Sequence, residues 1–173
     1  LIKNGTVVTA TDTYLADIYI EDERIHSIGR DLSQQAKTVI DAKGCYVFPG
    51  GIDAHTHLDL PFMGTSSSDD FETGTRAALF GGTTTVIDFA FQKPGGSLKE
   101  AMGAWHEIAR GKAIGDYAFH LAVTDFNENT RAEIREMVER EGVTSFKTFM
   151  AYKGALMIDD RQMIGLMGEA KKW

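Results

Sequence analysis

The sequence predicts an α/β protein, with a small all-β module over residues 1–48 and a parallel sheet of repeated strand–helix units over 49–173. Three observations predict it. Short alternating apolar runs separated by turn signals fill the first part, with no helical period. Pro49-Gly50-Gly51 then breaks that rhythm. Beyond the break, β-branched runs alternate with amphipathic segments that open on capping residues.

Within the module, Leu1-Ile2-Lys3 leads into Asn4-Gly5, a strong hairpin signal, and a Thr/Val run follows. Ala16-Asp17-Ile18-Tyr19-Ile20 alternates as a half-buried strand does, Glu21-Asp22-Glu23 turns, and Arg24-Ile25-His26-Ser27-Ile28 returns. Val39-Ile40-Asp41 and Cys45-Tyr46-Val47-Phe48 complete the strands.

In the second part, Ile52-Asp53-Ala54-His55 and residues 82–88, 117–123 and 143–149 are the strands. Asp69 with Glu72, Ser97 with Glu100, Thr130 with Glu133 and Asp159 with Gln162 fit the N-cap and N3 pattern of helix starts. Leu98, Met102, Trp105, Ile108 and Ala109 form an apolar stripe at helical spacing. Glu136 and Arg140 pair one turn apart, and Gly82 and Gly142 stand where helices end. Four such units fit either an open doubly wound sheet or a closed eightfold barrel. The first strand–helix turn lacks G-x-G-x-x-G, which weakens the dinucleotide-binding version.

Composition narrows the function. With 43% hydrophobic and 25% charged residues, the chain is globular rather than disordered. A net charge of −7 gives no basic face for nucleic acid. No apolar run approaches the roughly 20 residues that span a bilayer, so no membrane partner is expected. No signal-peptide pattern opens the chain, and the single Cys45 cannot form an internal disulfide, so a cytoplasmic location is expected. Cys45 itself reads as a small buried hydrophobe. The start at Leu1 rather than Met suggests trimmed ends.

The chemistry concentrates in a few residues. His55 and His57, two apart at a strand's end, point the same way and can converge on one cation. Two solvent-exposed histidines would give the same pattern. Lys147 lies in an apolar strand between Phe146 and Phe149. Either its ammonium reaches the surface, or desolvation lets it lose its proton and act as a nucleophile toward CO₂. The resulting carbamate can bridge two metals. Tyr152, in the following loop, either donates to an oxyanion or packs its ring. Asp53 and Asp59 suit turns, caps or support of the imidazoles. Asp88 and Asp125 read as structural, His120 as a satisfied core histidine, and His26 and His106 as surface residues. Gly81-Gly82-Thr83-Thr84 lacks the Gly-Lys-[Ser/Thr] ending of a phosphate loop.

Together these motifs resemble a known family. Residues 47–57, Val-Phe-Pro-Gly-Gly-Ile-Asp-Ala-His-Thr-His, look like the opening metal motif of the amidohydrolase superfamily. Residues 58–65 resemble the segment that follows it in dihydropyrimidinases and D-hydantoinases, and 81–89 and 145–154 are similar to two further blocks of that branch.

The resemblance implies the N-terminal part of a (β/α)₈ barrel, with a small β-sandwich built from both chain ends. It implies two divalent metals, usually zinc with manganese or cobalt as alternatives, bridged by a carboxylated lysine and a hydroxide. His55 and His57 match ligands of the more buried metal, and Lys147 matches the bridge as N6-carboxylysine. Tyr152 matches the phenol that binds the tetrahedral intermediate, and Leu60, Phe62 and Phe149 match positions that meet the substrate's exocyclic group. The implied substrate is a cyclic ureide or imide, a hydantoin or dihydropyrimidine, opened by hydrolysis. Tetramers or dimers are the implied assembly.

The family's later histidines and aspartate have no matching position, so the chain reads as the first part of a longer enzyme, with no useful activity expected of it alone. Leu60-Pro61-Phe62-Met63-Gly64-Thr65 argues against the related allantoinases and dihydroorotases. Retention of His55, His57, Lys147 and Tyr152 argues against the non-catalytic dihydropyrimidinase-like scaffolds.

Overall fold

The computed structural model describes residues 1–62 and 64–173. Met63, within the segment 58–65 singled out above, lies outside the described residues. The chain divides into two compact units, Leu1–Gly50 and Gly51–Trp173.

The first unit is a single sheet of β1 (Ile2–Val8), β2 (Thr13–Glu21), β3 (Arg24–Gly29), β4 (Ile40–Asp41) and β5 (Tyr46–Val47). Its order is β3-β2-β1-β4, with β5 also paired to β1. β1–β2 and β2–β3 are antiparallel, whereas β4 and β5 run parallel to β1. The turn at Asp22 and Glu23 has both residues at positive φ, the backbone twist that two-residue hairpins favour.

Asn4-Gly5 is not the hairpin its sequence predicts. It lies inside β1, where Asn4 takes φ 61° and the register with β2 slips between Ile2 and Gly5. The Asn4 N–H donates to the Asp17 carboxylate at 2.8 Å, and its amide donates to Asp41 at 2.8 Å. These two anchors convert a turn dipeptide into a bulge. Val7, Ala16 and Ile18 form the small core, with Ile2 and Val47 packed against it. Cys45 is exposed, contrary to its reading as a buried hydrophobe. It precedes β5 at the sheet's margin and donates its own N–H to Ala42.

The second unit begins with β6 (Gly51–Asp53), followed by a hairpin of β7 (Pro61–Phe62) and β8 (Thr65–Ser66). Then come α1 (Phe71–Phe80), β9 (Thr83–Phe91), α2 (Leu98–Ala109), β10 (Asp116–Ala122), α3 (Glu128–Glu139), β11 (Phe146–Lys147) and α4 (Asp160–Ala170). The sheet order is β11-β10-β9-β6, and every pairing is parallel. Neighbours in sequence are therefore neighbours in the sheet. A doubly wound sheet reverses its order at a switch point, whereas sequential winding follows the barrel pattern. α2 packs on α3, and α3 on α4.

Two helix starts differ from the sequence reading. α1 is capped by Asp70 with Thr73, not by Asp69 with Glu72. α3 is capped by Asn127 with Thr130, so Thr130 is the N3 partner rather than the cap. Its hydroxyl bonds back to the Asn127 backbone, which fixes the start three residues earlier. Asp159 with Gln162 caps α4 as expected, whereas Ser97 caps α2 without a return bond from Glu100, and Glu133 of α3 accepts the Ser97 hydroxyl and the Leu98 N–H instead. Leu98, Met102, Trp105 and Ala109 of the predicted stripe are buried, packed with Phe71, Leu121, Ile134 and Met137. Among the described residues, no helix is long and apolar enough to cross a membrane.

Candidate metal centre and substrate cleft

β6 ends at Asp53, and the chain leaves the sheet's carboxyl end through His55, Thr56 and His57. In parallel α/β proteins this is the end where functional groups collect. Asp53 accepts the His55 N–H at 3.1 Å. A neighbouring strand supplies the stronger restraint. Thr56 N–H donates to Ile87 O at 3.2 Å, and its hydroxyl donates to the Asp88 carboxylate at 3.0 Å. Leu58 N–H reaches the same carboxylate oxygen at 2.7 Å, and Phe89 N–H reaches the other at 2.6 Å. Asp88 is fully buried, and burial raises its pKa against the pull of these donors.

Leu58 completes the grip by packing on α1. A Cβ at Gly74 would lie 2.4 Å from a Leu58 methyl, so glycine there makes the seat. With Thr56 and Leu58 tied down, His55 and His57 are left side by side, ring centroids 5.1 Å apart.

Phe89 is the floor of the arrangement. Its ring centroid lies 4.6 Å from His55, 5.0 Å from His57 and 4.8 Å from His120. Lys147, from β11, places Nζ 4.1 Å from the same centroid and 5.0 Å from that of Phe149. Burial pushes the Lys147 ammonium below its ordinary range. His57 is also lowered, first by burial and then by the positive Lys147. Its Nδ1 is buried without a hydrogen-bond partner. His120 differs: Nδ1 bonds Ser145 Oγ and Nε2 lies 2.9 Å from Ala54 O, so both nitrogens are engaged. Among the described residues, no three of His, Cys, Asp and Glu gather as a metal-holding group. The donor set is two imidazoles and one lysine.

A cleft of about 670 Å³ opens beside them. His57 and Lys147 line it from the sheet, Leu60 and Phe62 from the β7 side, and Phe149 and Tyr152 from the loop after β11. Six of the seven residues singled out from sequence thus share one cavity, and His55 stands against His57. Tyr152 sits at φ 63°, unusual for a bulky side chain. Its carbonyl holds that backbone by accepting N–H groups of Ala155 and Leu156 at 3.0 Å and Met157 at 3.3 Å. The Tyr152 ring, half exposed, lies 6.0 Å from Phe149 and 6.4 Å from Phe62.

Several contributors were missed in the sequence. Phe89 lies one residue past the β-branched run 82–88, but the strand continues to Phe91, and residues 89 and 91 alternate onto one face at its carboxyl end. Trp105 and Ile108, assigned to the core stripe, also line the cleft. The capping reading of Asp59 fits: its carboxylate accepts the Phe71 N–H at 3.2 Å at the start of α1 and pairs with Lys112 at 3.3 Å. Asp125 is structural, bonded to Gly95, Asn127 and Gln162. His106 is half-buried against Phe119 rather than a free surface residue.

Residues 46–173 match the amidohydrolase family. A D-hydantoinase of Geobacillus stearothermophilus is 54% identical over 172 residues, 99% of this chain and 36% of the relative. A dihydropyrimidinase of Rattus norvegicus is 44% identical over 177 residues, 99% of this chain and 34% of the relative. The crystal structure of dihydropyrimidinase from Brevibacillus agri superposes with a TM-score of 0.96 at 54% identity, over 99% of this chain and 37% of that one. That of an L-hydantoinase from Arthrobacter aurescens gives 0.81 at 26% identity, over 99% and 38%. The chain spans little more than a third of the length of the relatives it matches.

Proposed function

The chain belongs to the amidohydrolase family, and from that premise we propose that it supplies the first part of the active site of a metal-dependent cyclic amidohydrolase that opens a hydantoin or dihydropyrimidine ring. The observation that carries this reading is the convergence of His55, His57 and a desolvated Lys147 on Phe89 at one wall of an apolar cleft. The relatives' greater length and the sequential sheet support completion of a (β/α)₈ barrel by further strands, with the β module as part of a small sandwich. A homo-oligomeric, cytoplasmic enzyme belongs to the same reading.

The residues fit a divalent pair under one condition. Neutral imidazoles are good zinc ligands, and His57 is held toward its neutral state with a nitrogen unpartnered. An ammonium is not a ligand. Lys147, its proton loosened by burial, would attack CO₂ through Nζ, form a carbamate and release a proton. That converts the one unsuitable donor into an anion with two oxygens. Zinc, manganese or cobalt bound there would lower the pKa of water toward neutrality and polarise the ring carbonyl.

The chain's own groups then divide the remaining work. Tyr152 donates its phenolic hydrogen to the oxygen that gains charge as hydroxide adds to the carbonyl carbon. Leu60, Phe62 and Phe149 pack the ring's exocyclic group and exclude water. The ring C–N bond breaks as a carboxylate beyond this set of residues takes the proton of the added hydroxide and passes it to the leaving nitrogen.

The test uses the full-length protein. Hydantoin and dihydrouracil should be opened in the presence of zinc or manganese. Lys147→Ala should lose bound metal and cut turnover on the order of 10³-fold, with partial recovery in short carboxylates. Tyr152→Phe should lower kcat by roughly 10²–10³ with metal content intact. Unchanged metal content and turnover in Lys147→Ala would overturn the bridge.

A further inference from the structure

Lys93 stands on the wall of the same cleft, and neither the sequence motifs nor the proposed chemistry uses it. We infer that it determines specificity by selecting substrates whose exocyclic group ends in a carboxylate. The inference rests on the ring-opening reading above and extends it to a substrate class.

The backbone that carries Lys93 is fixed at both ends. β9 leaves the sheet at Phe91, and the next residue, Gln92, is buried. Its Oε1 accepts the N–H groups of Thr124 at 2.9 Å and Asp125 at 3.0 Å. Its Nε2 donates to Gly96 O at 2.8 Å and Asp125 O at 3.0 Å. All four bonds of the amide are made, so Gln92 rivets the loop after β9 to the loop after β10.

Between Gln92 and Gly96 the chain makes a tight turn. The Gly96 N–H donates to Lys93 O at 2.8 Å, and Pro94 and Gly95 occupy the corner. Gly95 takes φ 75°, the conformation a proline–glycine corner needs, and its N–H is held by Asp125 at 3.2 Å. Lys93 therefore leaves a rigid platform, not a loose loop.

The surroundings leave its charge uncommitted. Among the described residues no carboxylate lies within ion-pair distance of Lys93. Asp125, which borders the turn, is already occupied by amide donors. Glu100 shares a small cavity of about 90 Å³ with Lys93 but does not pair with it. The cleft around Lys93 is aromatic and aliphatic, through Phe91, Trp105, Ile108 and Phe149. Lys93 itself is exposed, so its attraction for an opposite charge is screened by solvent and modest in size. The volume of about 670 Å³ is that of a small-ligand site and exceeds what a bare five-membered ring fills. Lys93 lines the same cleft as Leu60, Phe62 and Phe149, the positions proposed above to pack the exocyclic group.

The test compares two near-isosteric hydantoins, one carrying a carboxyethyl group and one a carbamoylethyl group, on the full-length enzyme. The ratio of their kcat/KM values is read for the native protein, Lys93→Arg, Lys93→Gln and Lys93→Glu, with unsubstituted hydantoin assayed on each. The native enzyme and Lys93→Arg should favour the carboxylate. Lys93→Gln should lower the ratio about fivefold, mainly through KM, and Lys93→Glu should lower it further. Salt at about 0.5 M should shrink the native preference. A ratio that stays flat across the variants, while unsubstituted hydantoin is still opened, overturns the role of Lys93 alone. No opening of any hydantoin or dihydropyrimidine by the native protein overturns the ring-opening reading and this inference with it.

Discussion

Asp17 and Asp88 are both buried carboxylates, one in each unit, and their pKa values move in opposite directions. Asp17 accepts N–H groups of Asn4 at 2.8 Å and Leu32 at 3.0 Å, with Lys3 at 3.7 Å, and the Asn4 bond leads in lowering its pKa. Asp88 has three donors and no ion-pair partner among the described residues, and burial in the sheet dominates, raising its pKa against these donors and the weaker pull of His57. The β module uses its carboxylate to hold a bulge. The sheet unit uses its carboxylate to hold the turn that carries the histidine pair. The difference teaches where burial of charge is tolerated without a counter-charge: where three hydrogen bonds fix a segment that must not move.

The strongest way to break this comparison is Asp88→Ala. It strands Thr56, Leu58 and Phe89 donors and should cost about 3 kcal/mol of stability, read from a denaturant titration. In the full-length protein it should also weaken metal affinity roughly 10–100-fold, because the support of the histidine pair is lost. Asp88→Asn comes next. An amide offers one acceptor oxygen where two are used, so about 1–2 kcal/mol should be lost by the same titration.

Acid sharpens the contrast. Asp17, lowered in the folded state, contributes stability that is present above its ordinary value of 3.8 and is lost as pH falls below it. Asp88, raised in the folded state, contributes in the opposite sense: its contribution is full below 3.8 and is lost as pH rises through the folded value. Hydrogen exchange on lowering the pH below 3.8 should therefore show protection lost at Val7 and Ile18 before Val86 and Leu121. Asp17→Asn should flatten that acid response. Lys3→Met should have the smallest effect, moving the module's acid transition toward higher pH without abolishing it, as followed by circular dichroism.

Much of this was legible in the sequence, and the failures are local. His55, His57, Lys147 and Tyr152 could be picked out because their residue types conflict with, or stand out from, the apolar strands that carry them. Sequential strand order was not readable, because each strand looks alike to its neighbours and only pairing distinguishes a barrel from a doubly wound sheet. Asn4-Gly5 misled because its turn preference is real, but Asp17 and Asp41, distant in sequence, capture Asn4 in a strand. Thr130 misled because a threonine at N3 and one at the N-cap are the same residue three positions apart. Asp88 reads as structural, which its bonds bear out, but its three bonds and the four of Gln92 are hidden, since nothing local reveals how many partners a buried polar group collects from other strands.

The sequential order of β6, β9, β10 and β11 has a consequence for how the unit is made. A polypeptide leaves the ribosome from its N-terminus, so each new strand meets a partner that has already emerged. After β6, no strand has to wait for a later one before it can pair, and no edge among these four must be vacated to admit a latecomer. The histidines emerge with the first strand and the lysine with the last of the four. Vectorial synthesis thus brings Lys147 to His55 and His57 only after the scaffold beneath them, with Phe89 at its centre, is in place.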